Sequence, residues 1–557
     1  MTRNTQNLPV LVVGAGPIGL MTALGLSTYE LPFAVFEEDD SFSSDTKAGT
    51  ILTRTLEIFR RYGVADVVLA RSLRIDEIGS IDRESNTARH PIHTRLMRDE
   101  TRYPFVVNLP QHHLEPVLAQ ALQARAPGTV HTRHRLTGFT QHADHVEAEF
   151  DTPDGPRKVK GSYLLACDGG RSTVRDKLGI EVEGMTLDVR YMLVDLKVDL
   201  DVQNARDYPY LAYFSDPQEW MILVRQPHCW RFLFPLPLDQ EEASEAELLA
   251  KVRRFIGEAK DVEMLGKVIY RVHHRVADTW QLDRVLLMGD AAHLITPMWA
   301  LGMNTGALDA HALPWRLAWV LRGWAPPALL QQYEREQRPI AVNGSGQLAE
   351  AARIAMSQAN EAGDGPAAGD WGNACTRMLL GVQLDLSGQG GGNMTRNDSA
   401  PPPLCAGDRM PDWELHGAEG RALRAHELAD GCFAALYFTD VRRRPRLPAA
   451  DSPALRHYVV SRWDAPFDSG LRERALLDIG DALRTRLGHD GDVLVLMRPD
   501  DHIAAIVPLD TASPEQAAAL YERAVGAPPP AATHAPASTG SDATAAPRSQ
   551  PLTGCPA

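Results

Sequence analysis

At 557 residues, with 44% apolar and 23% charged residues, the chain has the composition of a globular protein with room for two or three domains. Its net charge of −15 argues against nucleic acid as a partner, because phosphate binding requires a basic surface. The six cysteines show no C-x-x-C or metal-like spacing, no apolar run reaches the ~18 residues of a membrane span, and the polar start Met1–Asn7 lacks signal-peptide character, so a metal-free, cytoplasmic protein is expected.

The first element is a short β-branched strand, Val10–Val13. Gly14-Ala15-Gly16-Pro17-Ile18-Gly19 follows at once, then a helical pattern through Leu20, Ala23, Leu24 and Leu26. A second strand, Phe33–Phe36, ends in Glu37. This is G-x-G-x-x-G in its required strand–turn–helix–strand context. Gly14 serves the tight turn, Gly16 lets the backbone approach a pyrophosphate, Gly19 permits close helix–strand packing, and Glu37 accepts from ribose hydroxyls. With one copy of the fingerprint, one tightly held dinucleotide is expected, FAD or NAD; Glu37 disfavours a 2′-phosphate.

Lys47 stands before a predicted helix over 53–63 and is either a phosphate neutraliser or a solvated lysine. Gln111 opens an amphipathic helix over 112–124, as a ligand donor or a cap. The buried strand Tyr163–Cys167 runs into Asp168-Gly169-Gly170-Arg171-Ser172 and another helix. An ordinary turn would also use Asp-Gly.

From about Arg190 to Leu236 the period shifts to alternation, with a hairpin across Gln226-Pro227-His228. Alternation puts Arg225 on the face of Met221 and Leu223, opposite Trp220, Ile222 and Val224, and Arg231 opposite Trp230, Phe232 and Phe234. Such arginines bind a carboxylate or phenolate, or lie on an exposed face of the sheet. Tyr210, Tyr213 and His228 are candidates for moving a substrate proton.

A third strand, Arg284–Met288, stops at Gly289-Asp290-Ala291-Ala292-His293. Pro297 and Gly302-Met303-Asn304 follow, then a helix from about Thr305 to Leu321. A carboxylate at the carboxyl end of a buried strand sits where open α/β sheets bind ligands, although Asp290 could also merely cap a turn. His293 reads as a cofactor-side or helix-start residue. A helical pattern covers about 351–381. A glycine run, Ser387–Asn393, and Pro401-Pro402-Pro403 mark a linker. Strands at Phe433–Phe438, Val493–Met497 and Ile503–Val507 then build a further unit with an isolated Cys432, before an Ala/Pro-rich tail expected to be disordered.

Together, the glycine fingerprint with Glu37, Cys167-Asp168-Gly169-Gly170-Arg171-Ser172, and Gly289-Asp290 with Pro297 and Gly302-Met303-Asn304 resemble the class A FAD-dependent aromatic hydroxylases, the para-hydroxybenzoate hydroxylase superfamily, in its phenol-hydroxylase-like branch. The resemblance implies an α/β fold. A Rossmann-type (GR2-like) FAD-binding domain (1–182 and 281–345) would carry an inserted substrate-binding β-sheet (183–280). A helical segment and linker (346–404), a thioredoxin-like domain (405–526) and a tail (527–557) would follow. It implies FAD held by Gly14, Ala15, Gly16, Pro17, Ile18, Gly19, Glu37, Lys47, Gln111, Asp168, Asp290, Pro297, Gly302, Met303 and Asn304. Trp220, Met221, Arg225, Trp299 and Leu301 would line the substrate pocket; Tyr210, Tyr213, His228 and Arg231 are the catalytic candidates. Where the family often reads Gly-Gln-Gly, this chain has Trp299-Ala300-Leu301-Gly302, which makes that wall bulkier and more apolar.

The implied activity is NAD(P)H- and O₂-dependent hydroxylation of a phenolic or related aromatic small molecule through a flavin C4a-hydroperoxide, in a monomer or homodimer, with NADH versus NADPH left open. The alternatives are Baeyer–Villiger-type or tailoring oxidation of a polycyclic compound, and a flavin- or ligand-binding protein without turnover.

Overall fold

The apolar runs Val10–Val13, Phe33–Phe36, Tyr163–Cys167 and Arg284–Met288 contain buried strands of one sheet. Val10–Val13 (β1) is followed by helix Pro17–Thr28 (α1) and Phe33–Phe36 (β2). In this computed structural model the described residues are 8–42, 49–82, 87–88, 92–200, 209–216, 219–240, 243–256, 262–357, 384–386, 403–439, 445–462, 471–489, 491–510 and 513–532. Lys47, the 387–393 glycine run and the tail beyond 532 lie outside them.

Helix Thr53–Arg61 (α2), strand Glu77–Asp82 (β3) and helix Gln111–Arg125 (α3) come next. Leu164–Ala166 (β4) and helix Thr173–Leu178 (α4) then carry the chain to four strands: Val182–Lys197 (β5), Leu211–Ser215 (β6), Met221–Arg225 (β7) and Trp230–Leu236 (β8). Helix Glu245–Ile256 (α5) and strand Glu263–Ala277 (β9) follow, and the chain then returns to the first sheet with Val285–Leu287 (β10). That sheet has the order Gln281–Leu282, β10, β4, β1, β2, Val130–His131. Strands β10, β4, β1 and β2 are mutually parallel, with Val13 level with Ala166 and Phe36, and Ala166 level with Leu287. Parallel strands buried on both faces read as unbroken apolar runs, which is why the sequence revealed them.

Strands β5 to β9 therefore fall, in sequence, between β4 and β10. They form a separate sheet of order His293–Leu294, β9, β5, β8, β7, β6, β3, Thr87–Ala88. That sheet also recruits β3 from the earlier part of the chain, paired parallel to β6. Its two faces go into different cores. Tyr191, Leu211, Tyr213, Trp220, Ile222, Val224 and Leu233 join the core of the first sheet. Met192, Phe214, Met221, Leu223, Phe232 and Phe234 pack with α5.

Helix Leu301–Leu321 (α6) starts four residues earlier than the sequence suggested and packs on α1, close enough that a Cβ on Gly25 would lie 2.8 Å from Pro314. Helices Gln331–Pro339 (α7) and Gln347–Ser357 (α8) follow. The C-terminal unit is a mixed sheet containing Phe433–Phe438 (β11), Leu455–Ser461 (β12), Val493–Met497 (β13) and Ile503–Pro508 (β14), closed by helix Ser513–Val525 (α9). β12 runs parallel to β11, whereas β13 is antiparallel to both β11 and β14. No described helix is long and apolar enough to cross a membrane.

Candidate active site

The three motifs, each more than a hundred residues from the next, meet at the carboxyl edge of β1, β4 and β10. Gly14 has φ +99°, and a Cβ on it would lie 2.3 Å from the Cys167 carbonyl oxygen; one on Gly19 would lie 2.0 Å from Gly14 O. A Cβ on Gly16 would meet nothing within 4 Å. Gly14 and Gly19 thus serve the turn and the packing, while Gly16 borders open space at the start of α1. That helix start has Pro17 at its first turn, no side-chain cap and no acidic residue, so its free N–H groups and dipole suit a pyrophosphate. Glu37 Oε2 accepts from Ala15 N at 2.6 Å, which ties the end of β2 to the glycine turn.

Gly289 sits at φ +55°, and a Cβ there would lie 2.9 Å from Ile18 Cγ1. Ile18 also fills the space beside Gly306, so the first helix packs between the Asp290 turn and α6. Asp290 is exposed on this edge, in the short 3-10 turn Gly289–Ala291. His293 turns inward rather than toward the edge, which corrects its reading as a cofactor-side residue. It is buried, stacked on Trp280 at 5.1 Å, with Nε2 2.7 Å from Asp309 Oδ2. Asp309 and Arg175 escaped the sequence reading. Arg175 donates to Gly170 O at 2.9 Å and to Ala291 O at 3.1 Å, stitching the Asp168 motif to the Asp290 motif. Asp168 accepts from Val174 N at 3.1 Å through Oδ2, while Oδ1 is buried without a hydrogen-bond partner among the described residues. Burial raises the pKa of its carboxyl group above the ordinary value.

After Pro297, Trp299 (φ 59°, ψ 14°) and Ala300 (φ 57°, ψ 29°) are both left-handed. For non-glycine residues this costs roughly 1–2 kcal/mol each. Asn304 holds the turn with all four of its hydrogen-bonding positions in use. Nδ2 donates to Ala300 O at 2.7 Å and Thr50 O at 3.0 Å; Oδ1 accepts from Leu52 N at 3.0 Å and Thr55 Oγ1 at 2.7 Å. Gly302 and Met303 lie in the first turn of α6, and Leu301 is buried in the main core.

On the sheet of β5 to β9, Tyr213, Trp220 and Arg231 share the face turned toward these motifs. Tyr213 stacks on Trp299 with ring centroids 4.4 Å apart, and Trp220 meets Tyr191 edge-on at 5.1 Å. Arg231 is buried and bidentate to Asp195 at 2.8 and 2.9 Å, so it is neither on an exposed face nor free for an anion. Met221 and Arg225, expected in the pocket, are on the other face. Met221 packs with α5, and Arg225 is held in its own hairpin by Gln226 O at 2.6 Å and over Trp230 at 5.5 Å. One residue of alternation separates the two faces, and only packing decides which is which. Tyr210 is 36% exposed against Trp230, and His228 is exposed in the hairpin turn beside His113. Gln111 opens α3 and donates to Glu115 at 2.8 Å. Gln226, also missed from the sequence, is fully buried with both amide atoms unpartnered among the described residues, beside Gly49. Burial keeps the His112 pKa below its ordinary value. Among the described residues no group of three or more His, Cys, Asp or Glu side chains is arranged to hold a metal.

The open cradle at Gly16, the uncapped start of α1, the buried Asp168 oxygen and the Asp290 carboxylate on one sheet edge fit a long dinucleotide. A family described as an FAD binding domain matches residues 7–344.

The chain belongs to this family.

Its similarity to the FAD-dependent aromatic hydroxylases stands accordingly. The chain is 28% identical to para-nitrophenol 4-monooxygenase of Pseudomonas sp. (strain WBC-3), over 59% of this chain and 83% of that protein. It is 30% identical to 6-methylpretetramide 4-monooxygenase of Streptomyces rimosus, over 62% of this chain and 61% of that protein. The chain thus spans under two thirds of the second relative's length. Among solved structures, the flavin-dependent monooxygenase PieE, in complex with FAD and substrate, shares the fold with a TM-score of 0.76 at 24% identity, over 94% of this chain and 99% of that one.

Proposed function

We propose that this FAD-binding protein is a monooxygenase that takes electrons from NADH or NADPH and hydroxylates a phenolic aromatic small molecule with O₂. The observation that carries this reading is the aromatic face of the inserted sheet, Tyr213 and Trp220, set against the edge where the three dinucleotide motifs converge. Bound FAD supplies the oxygen-activating redox chemistry. The chain's own residues bind, orient and exclude water. Gly14 to Gly19 and the start of α1 take the pyrophosphate, Glu37 the ribose end, and Asp290 with Asp168 the remaining polar chain. The apolar face holds the ring in a dry setting with few polar groups. Tyr213 is the catalytic candidate best placed for a phenolic hydroxyl; Arg231, bound to Asp195, acts on geometry and field rather than as a free anion receptor. The order β12-β11-β13-β14, with α9 following, supports a thioredoxin-like reading of the C-terminal unit, with domain limits near 182, 280, 345, 404 and 526. The protein is proposed to act in the cytoplasm, alone or as a homodimer.

The test is direct. Purified protein should be yellow or take up FAD, and phenols should stimulate NADH or NADPH oxidation with matching O₂ uptake. Asp290→Ala should weaken FAD retention. Colourless protein that cannot be loaded with FAD sinks the reading. Product mass separates hydroxylation of a phenol from ring insertion or tailoring of a polycycle, and FAD uptake without stimulated oxidation points to a binding protein.

A further inference from the structure

We propose that Trp299 limits the size of the substrate. Its indole fills the space that a second or third fused ring would need, so the site selects a single-ring phenol. The inference rests on the monooxygenase reading and names its substrate class.

Trp299 and Ala300 are consecutive left-handed residues, with φ 59° and 57°. Glycine reaches that region freely, and a large side chain persists there only when its surroundings hold it. Two contacts do so. Asn304 ties the Ala300 carbonyl to Thr50 and α2, and the indole stacks on Tyr213 at 4.4 Å with ring planes 34° apart. Both rings are buried, Trp299 at 6% exposure and Tyr213 at 4%. Tyr213 is level with Ile222, and Ile222 with Leu233, in the middle of the face turned toward the flavin motifs. Helix α8 closes the same space from its other side. Ala349, Ala352 and Met356 are buried there, and Met356 O accepts from Asp216 N at 3.2 Å, just beyond β6. A glycine at 299 would suit the backbone and leave a ring-sized gap against Tyr213. This chain places its largest side chain in that position. The strained turn thus presents one aromatic wall at a fixed place, and the depth left for a ligand depends on that one residue. Packing alone would account for a buried tryptophan, but it gives no reason to put one where the backbone favours glycine.

The variant that isolates the ring is Trp299→Gly, which accepts φ +59° and deletes the indole. Binding of 4-nitrophenol, 2-naphthol and 1-hydroxyanthraquinone to FAD-loaded wild type and variant is followed by flavin difference absorbance, with thermal melting measured alongside. The wild type should favour the one-ring over the three-ring probe by about ten-fold or more, and Trp299→Gly should shrink or invert that ratio by about ten-fold, with Trp299→Phe in between. Should the glycine variant fold poorly, Trp299→Asn, tolerated at left-handed φ, makes the same comparison. A wild type that binds 1-hydroxyanthraquinone as tightly as 4-nitrophenol, one that binds no probe, or a variant with an unchanged ratio overturns the proposal. NADH and NADPH oxidation in the same samples separates the two ideas. Size-ordered binding without phenol-stimulated oxidation keeps the role of Trp299 and sinks the monooxygenase reading.

Discussion

Asp309 holds the Gly289 amide across the core: its Oδ2 accepts from Gly289 N at 2.9 Å while lying 2.7 Å from His293 Nε2. Both partners of this fully buried carboxylate flank Asp290, so the third turn of α6 fixes the shape of the edge on which the cofactor is proposed to lie. Asp309→Ala orphans a backbone donor and an imidazole, at about 1–3 kcal/mol for each buried group. We expect a lower melting temperature and weaker FAD binding, measured by titrating apoprotein with FAD. An unchanged FAD affinity would show that the turn keeps its shape without the carboxylate.

Gly289→Ala should be destabilising for two independent reasons. The backbone is left-handed at φ +55°, and the new Cβ would fall 2.9 Å from Ile18. Trimming Ile18 to Ala relieves only the second. The double variant should therefore recover part of the loss in denaturant unfolding, leaving the roughly 1–2 kcal/mol of backbone strain. Full additivity of the two single changes would refute the contact.

The Arg231–Asp195 pair is almost wholly buried, with two matched hydrogen bonds. Removing one partner leaves a desolvated charge, an effect of about 3–5 kcal/mol. Asp195→Ala should therefore unfold more readily than Arg231→Met/Asp195→Leu, in which neither charge remains. Equal midpoints for the two proteins in urea would mean the pair is more hydrated than its geometry implies.

Acid should loosen the junction between the flavin-binding region and the C-terminal unit. Asp501 there meets Arg54 at 2.9 Å, pairs with Arg61 and lies 3.3 Å from His311 Nε2, while Arg498 binds Glu336 at 2.8 Å. Burial lowers the His311 pKa to about 4, against an ordinary 6.5. The unfolded chain thus takes up a proton between pH 6.5 and 4 that the folded chain refuses. Stability is complete above pH 6.5 and falls as pH drops toward 4, by roughly 3 kcal/mol from this group at most. His457, also lowered by burial to about 4, adds in the same direction. Melting temperatures across pH 4–7 should show the slope, and His311→Gln should flatten it. A slope unaffected by that change would assign the loss elsewhere.

Much of the first sheet could be read from the chain itself. Val10–Val13, Phe33–Phe36 and the run before Gly289 are unbroken apolar segments because parallel strands are buried on both faces; the first and third end in glycine and the second in Glu37. The alternating stretch was legible as a sheet but not as to side. Trp220 and Met221 differ only by parity, and the choice between them lies in what each face meets, the core of the first sheet or α5. Arg231 looked like either an anion receptor or a surface residue, since its partner Asp195 stands 36 positions away on a neighbouring strand.

The features legible along the chain are local: the glycine turn, the strands, and the carboxylates at their ends, all set by backbone sterics and apolar runs a few residues long. Which distant groups complete them is settled by the folded core. Arg175 joins two motifs through backbone oxygens, Asp309 supports a third, and Asn304 with Tyr213 holds Trp299 in a conformation its own residue type resists. Each of these depends on a buried polar group or a large ring finding one partner, and partners of that kind are chosen by the packing of the whole core rather than by spacing along the chain.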